Sequence, residues 1–269
     1  MRIAAGAAVL VPLAGLVCSA EVRRNGTLAA ARSGRSWIPA VALVTYAAAF
    51  SWAYTSLSAG TGSLIAFAAV QATMIGAAVL RGERLGARGW TGATIAMSGL
   101  VTLLFPGLRA PDPRGALAMA IAGASWGVYS LRGKGSGPAL RATARSFARG
   151  TALMLGIAAL AALAWGWESF RFTWAGALLA VVSGGVTSGL GYVVWYRALR
   201  DLPAAAAALV QLTVPVIAAG LGAALLQEPL TARFAGASAT VLFGIGLALA
   251  PGRGGAPRAS GARGAPVRS

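Results

Sequence analysis

The chain has 269 residues, 57% of them apolar and only 11% charged, against roughly a half and a quarter in a soluble domain. Its 23 basic residues face 6 acidic ones and there is no histidine, giving a net charge of +17. The single cysteine, Cys18, excludes an internal disulfide framework and a cysteine-based metal cluster, so no cofactor is expected. A nucleic-acid binder is excluded because the arginines sit between uncharged stretches of membrane-spanning length.

Those stretches fall at 3–19, 37–56, 62–80, 89–105, 115–131, 150–166, 174–196, 204–226 and 234–250. Each can cross a hydrocarbon layer of roughly 30 Å. A lone segment in lipid must close its own backbone hydrogen bonds, so each is predicted to be an α-helix. The predicted class is an all-α polytopic membrane protein with nine spans. The connections are short and hold nearly all the charge, and the Gly/Pro/Arg-rich tail 251–269 is predicted to be disordered and cytoplasmic.

The opening "MRIAAGAAVLVPLAGLVCSAE" reads as either a cleaved signal peptide or a retained helix. With the helix retained and Met1 outside, 18 of the 23 basic residues fall on the cytoplasmic side. That is the bias Lys and Arg show in membrane proteins. Cleavage, or Met1 inside, would put the same residues outside. The expectation is a multi-pass protein of the bacterial inner membrane, N-terminus outside and C-terminus cytoplasmic.

"ERLGAR" (83–88) and "EPLTAR" (228–233) share the pattern Glu-x-Leu-x-Ala-Arg, and each follows a long apolar span. Their offset of 145 pairs Gly99 with Gly244 and Leu80 with Leu225. It also places 150–166 opposite the opening stretch and leaves 115–131 opposite nothing. The expected division is a first repeat over 1–108 with four helices, a second over 115–250 with five, and the tail 251–269. Five-helix halves insert with opposite orientation, a recurring plan in secondary transporters. The pattern therefore predicts a ten-helix inverted-repeat transporter lacking its first helix, through a late-assigned start or a real truncation.

"AYTSLSAGTGSLIAFAAVQATMIGAAVLRGERL", "AGASWGVYSLRGKG" and "YVVWYRALRDLPAAAAALVQLTVPVIAAGLGAALLQEPL" carry a resemblance over nearly the whole chain. It resembles the EamA-type transporters of the drug/metabolite transporter superfamily. The resemblance implies ten helices in two inverted halves and export or uptake of small metabolites such as amino acids. Where the family usually has a fourth-helix proline this chain has Val70, whereas the matching position in the other half keeps Pro215.

No charged residue lies deep in any span, so an ion-coupling carrier is not evident. Glu83 and Glu228 sit near helix ends, where a carboxylate favours the positive dipole of the following helix. Gln71 and Gln211 lie in matching spans, and an amide in lipid must find a partner, so each is expected to face the bundle interior. Such amides suit either substrate binding or a helix–helix hydrogen bond. Pro215, four residues after Gln211, frees a backbone carbonyl and predicts a discontinuous helix or a static kink. Trp126 and Tyr129 share a helix face, as do Ser188, Tyr192 and Tyr196. Tyr192 is placed on the pathway, whereas Trp195 and Tyr196, beside Arg197, read as interfacial anchors. The small residues of "SGGVTSGLG" (183–191) permit close helix approach.

The tentative pathway is thus Gln71, Trp126, Tyr129, Tyr192, Gln211 and Pro215, with no catalytic or metal residue. The expected function is movement of an amino-acid-like or related metabolite by alternating access, read as efflux. Two alternatives stand beside it: a non-transporting paralogue or partner subunit, and a polytopic membrane enzyme, which six scattered acids disfavour. The expected partners are a small-molecule substrate and membrane lipid, with a homodimer left open.

Overall fold

The computed structural model describes residues 36–105, 110–133, 138–166, 174, 175, 178, 182–226 and 231–250. The predicted span 3–19 and the tail 251–269 lie outside these. Every element among the described residues is helical: α1 (Ile38–Ala53), α2 (Ala59–Leu80), α3 (Ala87–Leu104), α4 (Pro113–Gly133), α5 (Ala139–Trp165), a π-helical run (Ser183–Leu190) leading into α6 (Gly191–Ala198), then α7 (Ala204–Val210), α8 (Thr213–Leu226) and α9 (Ala232–Leu249). By length and composition Ala59–Leu80, Ala139–Ala164 and Ala232–Leu249 are apolar and long enough to cross a membrane. Leu160 and Leu163 are 68% and 84% exposed, as a lipid-facing surface requires. The chain is an all-α, multi-pass membrane protein.

Local chemistry sets the helix ends. Ser58 caps α2 by accepting the Thr61 N–H at 3.3 Å, and Thr231 caps α9 by accepting that of Phe234 at 3.1 Å. Asp112 Oδ2 accepts the Gly115 N–H at 2.7 Å, with Pro113 pre-set for the first position of α4. α2 stops at Gly82, whose φ of +84° only glycine adopts readily. The Gly82 and Glu83 amides then bond the Val79 and Ala78 carbonyls, both at 2.9 Å. That closes a Schellman turn, which aims Glu83 away from its own helix.

Three predicted spans differ in the structure. The span set at 150–166 begins at Ala139, so Arg141, Arg145 and Arg149 ride on α5 and not in a connection. Alanine and arginine are strong helix formers, and an apolar-run criterion does not see them. The span 204–226 breaks at Gln211–Leu212 into α7 and α8. Pro215 has no N–H for the Gln211 carbonyl, which instead accepts from Val214 at 3.1 Å, while Thr213 Oγ1 donates to Val210 O at 2.8 Å. The small-residue run Ser183–Leu190 within 174–196 winds as a π-helix, a rare form that is frequent at functional sites.

Close approach organises the packing. A Cβ on Gly92 would strike the Gly244 carbonyl, and one on Gly244 would strike the Ala96 amide. One on Gly99 would lie 2.8 Å from the Val241 nitrogen and 3.0 Å from the Ala237 carbonyl oxygen. These contacts seat α3 on α9, the most extensive helix pair among the described residues. The offset of 145 turns Gly92 into Ala237 and Gly99 into Gly244, so it exchanges the Gly92–Gly244 and Gly99–Ala237 contacts. α4 packs on both α1 and α2, with Gly123 against the Ala66 carbonyl. The start of α1 is tied to α5: Arg149 Nη1 donates to Ser36 O at 2.7 Å, and its guanidinium lies 5.0 Å from the Trp37 ring centroid.

Candidate functional site

α2, α4 and α7 meet in the bundle interior, and five of the six predicted pathway residues, all but Pro215, meet there or beside it. Gln71 and Gln211 are both 6% exposed. Gln71 Nε2 donates to Ala208 O at 2.7 Å, and Gln211 Nε2 donates to Met74 Sδ at 3.1 Å and to Ala207 O at 3.3 Å. Trp126 Nε1 donates to Gln211 Oε1 at 2.5 Å. Each amide therefore bonds across helices, and the two do not bond each other. Gln71 Oε1 stays buried without a hydrogen-bond partner, an acceptor held ready in an apolar setting.

Rings continue from this point in both directions. Trp126 lies 4.8 Å from Tyr192, 5.6 Å from Tyr129 and 5.2 Å from Tyr46, centroid to centroid. Tyr129 stacks on Tyr196 at 4.9 Å and meets Tyr192 at 5.8 Å. Phe147 of α5 packs on Tyr192 at 5.7 Å. The other way, Tyr46 leads to Phe50 at 5.4 Å and Phe50 to Tyr54 at 4.8 Å, and the Tyr54 hydroxyl bonds Ser63 at 3.2 Å. The column runs from the Tyr54 end of the bundle to the Tyr196 end. Such rings offer flat, polarisable walls to an organic solute. Pro215 is buried in the first turn of α8, just past the break.

Tyr46, Phe50, Tyr54 and Phe147 were not singled out in the sequence. The signal for the first three was present, since positions 46, 50 and 54 repeat at helical spacing. Phe147 had none, because it lies in a segment taken as a connection. Two expectations are corrected. Tyr196 is 1% exposed and donates its hydroxyl to Tyr129 O at 3.0 Å, so it packs in the bundle and not at its surface, while the half-buried Trp195 donates Nε1 to Ser130 Oγ at 3.0 Å. Glu83 does not serve the helix that follows it. Its Oε1 and Oε2 accept the Ala204 and Ala205 amides of α7 at 3.2 and 3.3 Å. Glu228 lies outside the described residues.

The sequence profile of the EamA-like transporter family matches residues 113–250. The chain is also 46% identical to an uncharacterized protein of Pseudomonas aeruginosa, over 96% of this chain and 85% of that one. It belongs to the EamA-like transporter family. A crystal structure known only as that of a protein aligns on this EamA-like chain with a TM-score of 0.69, over 92% of this chain and 85% of the other. At 20% identity that likeness concerns the fold alone. Membership makes the buried polar centre the place to look for a solute path in this EamA-like chain, and neither relative names a solute.

Proposed function

We propose that the chain moves a small organic metabolite, amino-acid-like or related, across the bacterial inner membrane by alternating access, in the export direction. The observation that carries this reading is the part-buried Trp126–Gln211 hydrogen bond, where α2 and α4 meet the α7–α8 break, continuous with the aromatic column. A broken helix supplies backbone groups outside the regular ladder, and small-molecule sites in transporters are built at such breaks. Aromatic faces hold the solute's body, while Gln71 Oε1 offers an acceptor to its N–H. No charged group is needed at the centre, which fits facilitated or weakly coupled movement.

The proposed frame is two oppositely inserted halves, 1–108 and 115–250. The exchange of the α3–α9 glycine contacts under the 145 offset supports it. The arginine distribution supports placing the Glu83 and Arg200 end in the cytoplasm. The test is flux in proteoliposomes against a panel of amino acids and small organic acids and amines. Saturable movement of at least one compound, abolished by Gln211→Leu in folded protein, is the expected result. Folded wild-type protein that moves none of them, and is thermally stabilised by none, would overturn the reading.

A further inference from the structure

The two carboxylate oxygens of Glu83 accept two amides of a helix that lies 121 and 122 residues away along the chain. Ala204 and Ala205 open α7, so their amides have no acceptor within the helix. Without Glu83 these donors would need water or another acceptor at a tight junction. The Schellman turn at Gly82 delivers the carboxylate there, since it reverses the chain right after α2.

The floor beneath the two bonds is apolar, whereas Glu83 itself is half-buried beside the exposed Arg81, Gly82 and Arg84. Ala78 is wholly buried against Ala204 and Ala205, and Leu85 and Leu131 pack over them. The ends of α2, α4 and α7 therefore converge around the clasp, and alanine at the contacts lets them touch. One to two turns deeper, the Gln71 and Gln211 amides tie α2 to α7 again. Among the described residues, α2 packs along α7 but scarcely meets α8, which leans on α9 instead. The α2–α7 contact among the described residues is thus shut at the Glu83 end.

From this geometry we infer that Glu83 is the latch that holds the Glu83 end of the pathway closed, and that its two hydrogen bonds to α7 must break for the pathway to open there. The inference rests on the alternating-access reading, with that end facing the cytoplasm. Charge-assisted hydrogen bonds are the strong ones, and two of them on one side chain set the relative population of closed and open states. The break at Gln211–Leu212 is the hinge about which α7 swings once released. Glu83 touches no solute and acts only through the position of α7.

The test uses the full chain with Cys18→Ser and a single reporter, Ala208→Cys, one turn behind the clasp. In inside-out membrane vesicles, a small charged methanethiosulfonate reads access from the Glu83 end. Glu83→Ala should speed labelling by about ten-fold or more, and the isosteric Glu83→Gln, which keeps one acceptor, should fall between. A second reporter, Ser63→Cys at the far end of α2, should show no rise in right-side-out vesicles. Equal rates in all three versions would overturn the latch. So would faster labelling at both ends, which reports general loosening. Glu83→Gln gives the answer if Glu83→Ala fails to fold. The readout needs no solute, so the latch can stand where the flux assay fails, and can fall where it succeeds.

Discussion

The Trp126 indole donates to Gln211 Oε1 while its ring meets those of Tyr46, Tyr129 and Tyr192. Removing the donor leaves a buried amide oxygen unpaired, whereas removing both partners leaves only apolar packing. Trp126→Phe and Gln211→Leu should therefore be less costly together than the sum of the two alone. A double-mutant cycle on thermal unfolding is expected to give a coupling of about 1 kcal/mol. Additive effects would mean the bond contributes nothing to the junction. That Trp126 and Tyr129 share a helix face was legible in the sequence, because helical spacing alone sets it, whereas the meeting of Tyr192 with their rings depends on the crossing of two helices. Met74 and Ala208 were not, because each meets a glutamine 137 residues away and only the helix crossing brings them together.

Among the elements, the α3–α9 pair and the α7–α8 break behave differently under substitution. At Gly244 a side chain meets backbone, which cannot move aside. Gly244→Leu should destabilise by about 3 kcal/mol or more, an overpacking cost with no relief, seen as lost monodisperse protein in detergent. Gly156 and Gly246 have open space around the added Cβ, so alanine there should be neutral or stabilise by up to about 1 kcal/mol. Pro215→Ala restores an amide to α8 and favours one continuous helix. Its unfolding temperature should hold or rise while flux falls, and unchanged flux would show that the break serves packing alone. Pro215 announced a discontinuity in the sequence, but its place at Gln211–Leu212 depended on Val214 and Thr213 capturing the freed carbonyls. Similarly, the apolar run of 150–166 hid the start of α5, since a helix can leave the hydrocarbon layer without ending.

At the scale of the whole molecule, arginine placement and the repeat together propose one orientation. Arg200 and Pro111 are exposed at opposite ends of the bundle. Single cysteines there, in a Cys18→Ser background, should label from the cytoplasm and from the outside respectively. Reversed labelling would invert the proposed topology and move the Glu83 latch to the outer face. The all-α class was readable in the spans because lipid leaves the backbone few choices. The line of the pathway was only partly so, because aromatic residues such as Trp52 and Trp174 also lie on the exposed surface. Tyr192 is enclosed by the rings of Trp126, Tyr129 and Phe147, whereas Leu163 is exposed.

That difference gives the most direct test of an aqueous solute path through the Trp126–Gln211 centre. Cysteines replacing Tyr192, Gln211 and, as the lipid-facing control, Leu163 (84% exposed) would be exposed one at a time to a membrane-impermeant charged thiol reagent in native membranes. The account predicts modification of Tyr192→Cys and Gln211→Cys, with Leu163→Cys inert. Equal inertness of all three in folded protein would contradict it, because the centre would then be dry packing and not a path.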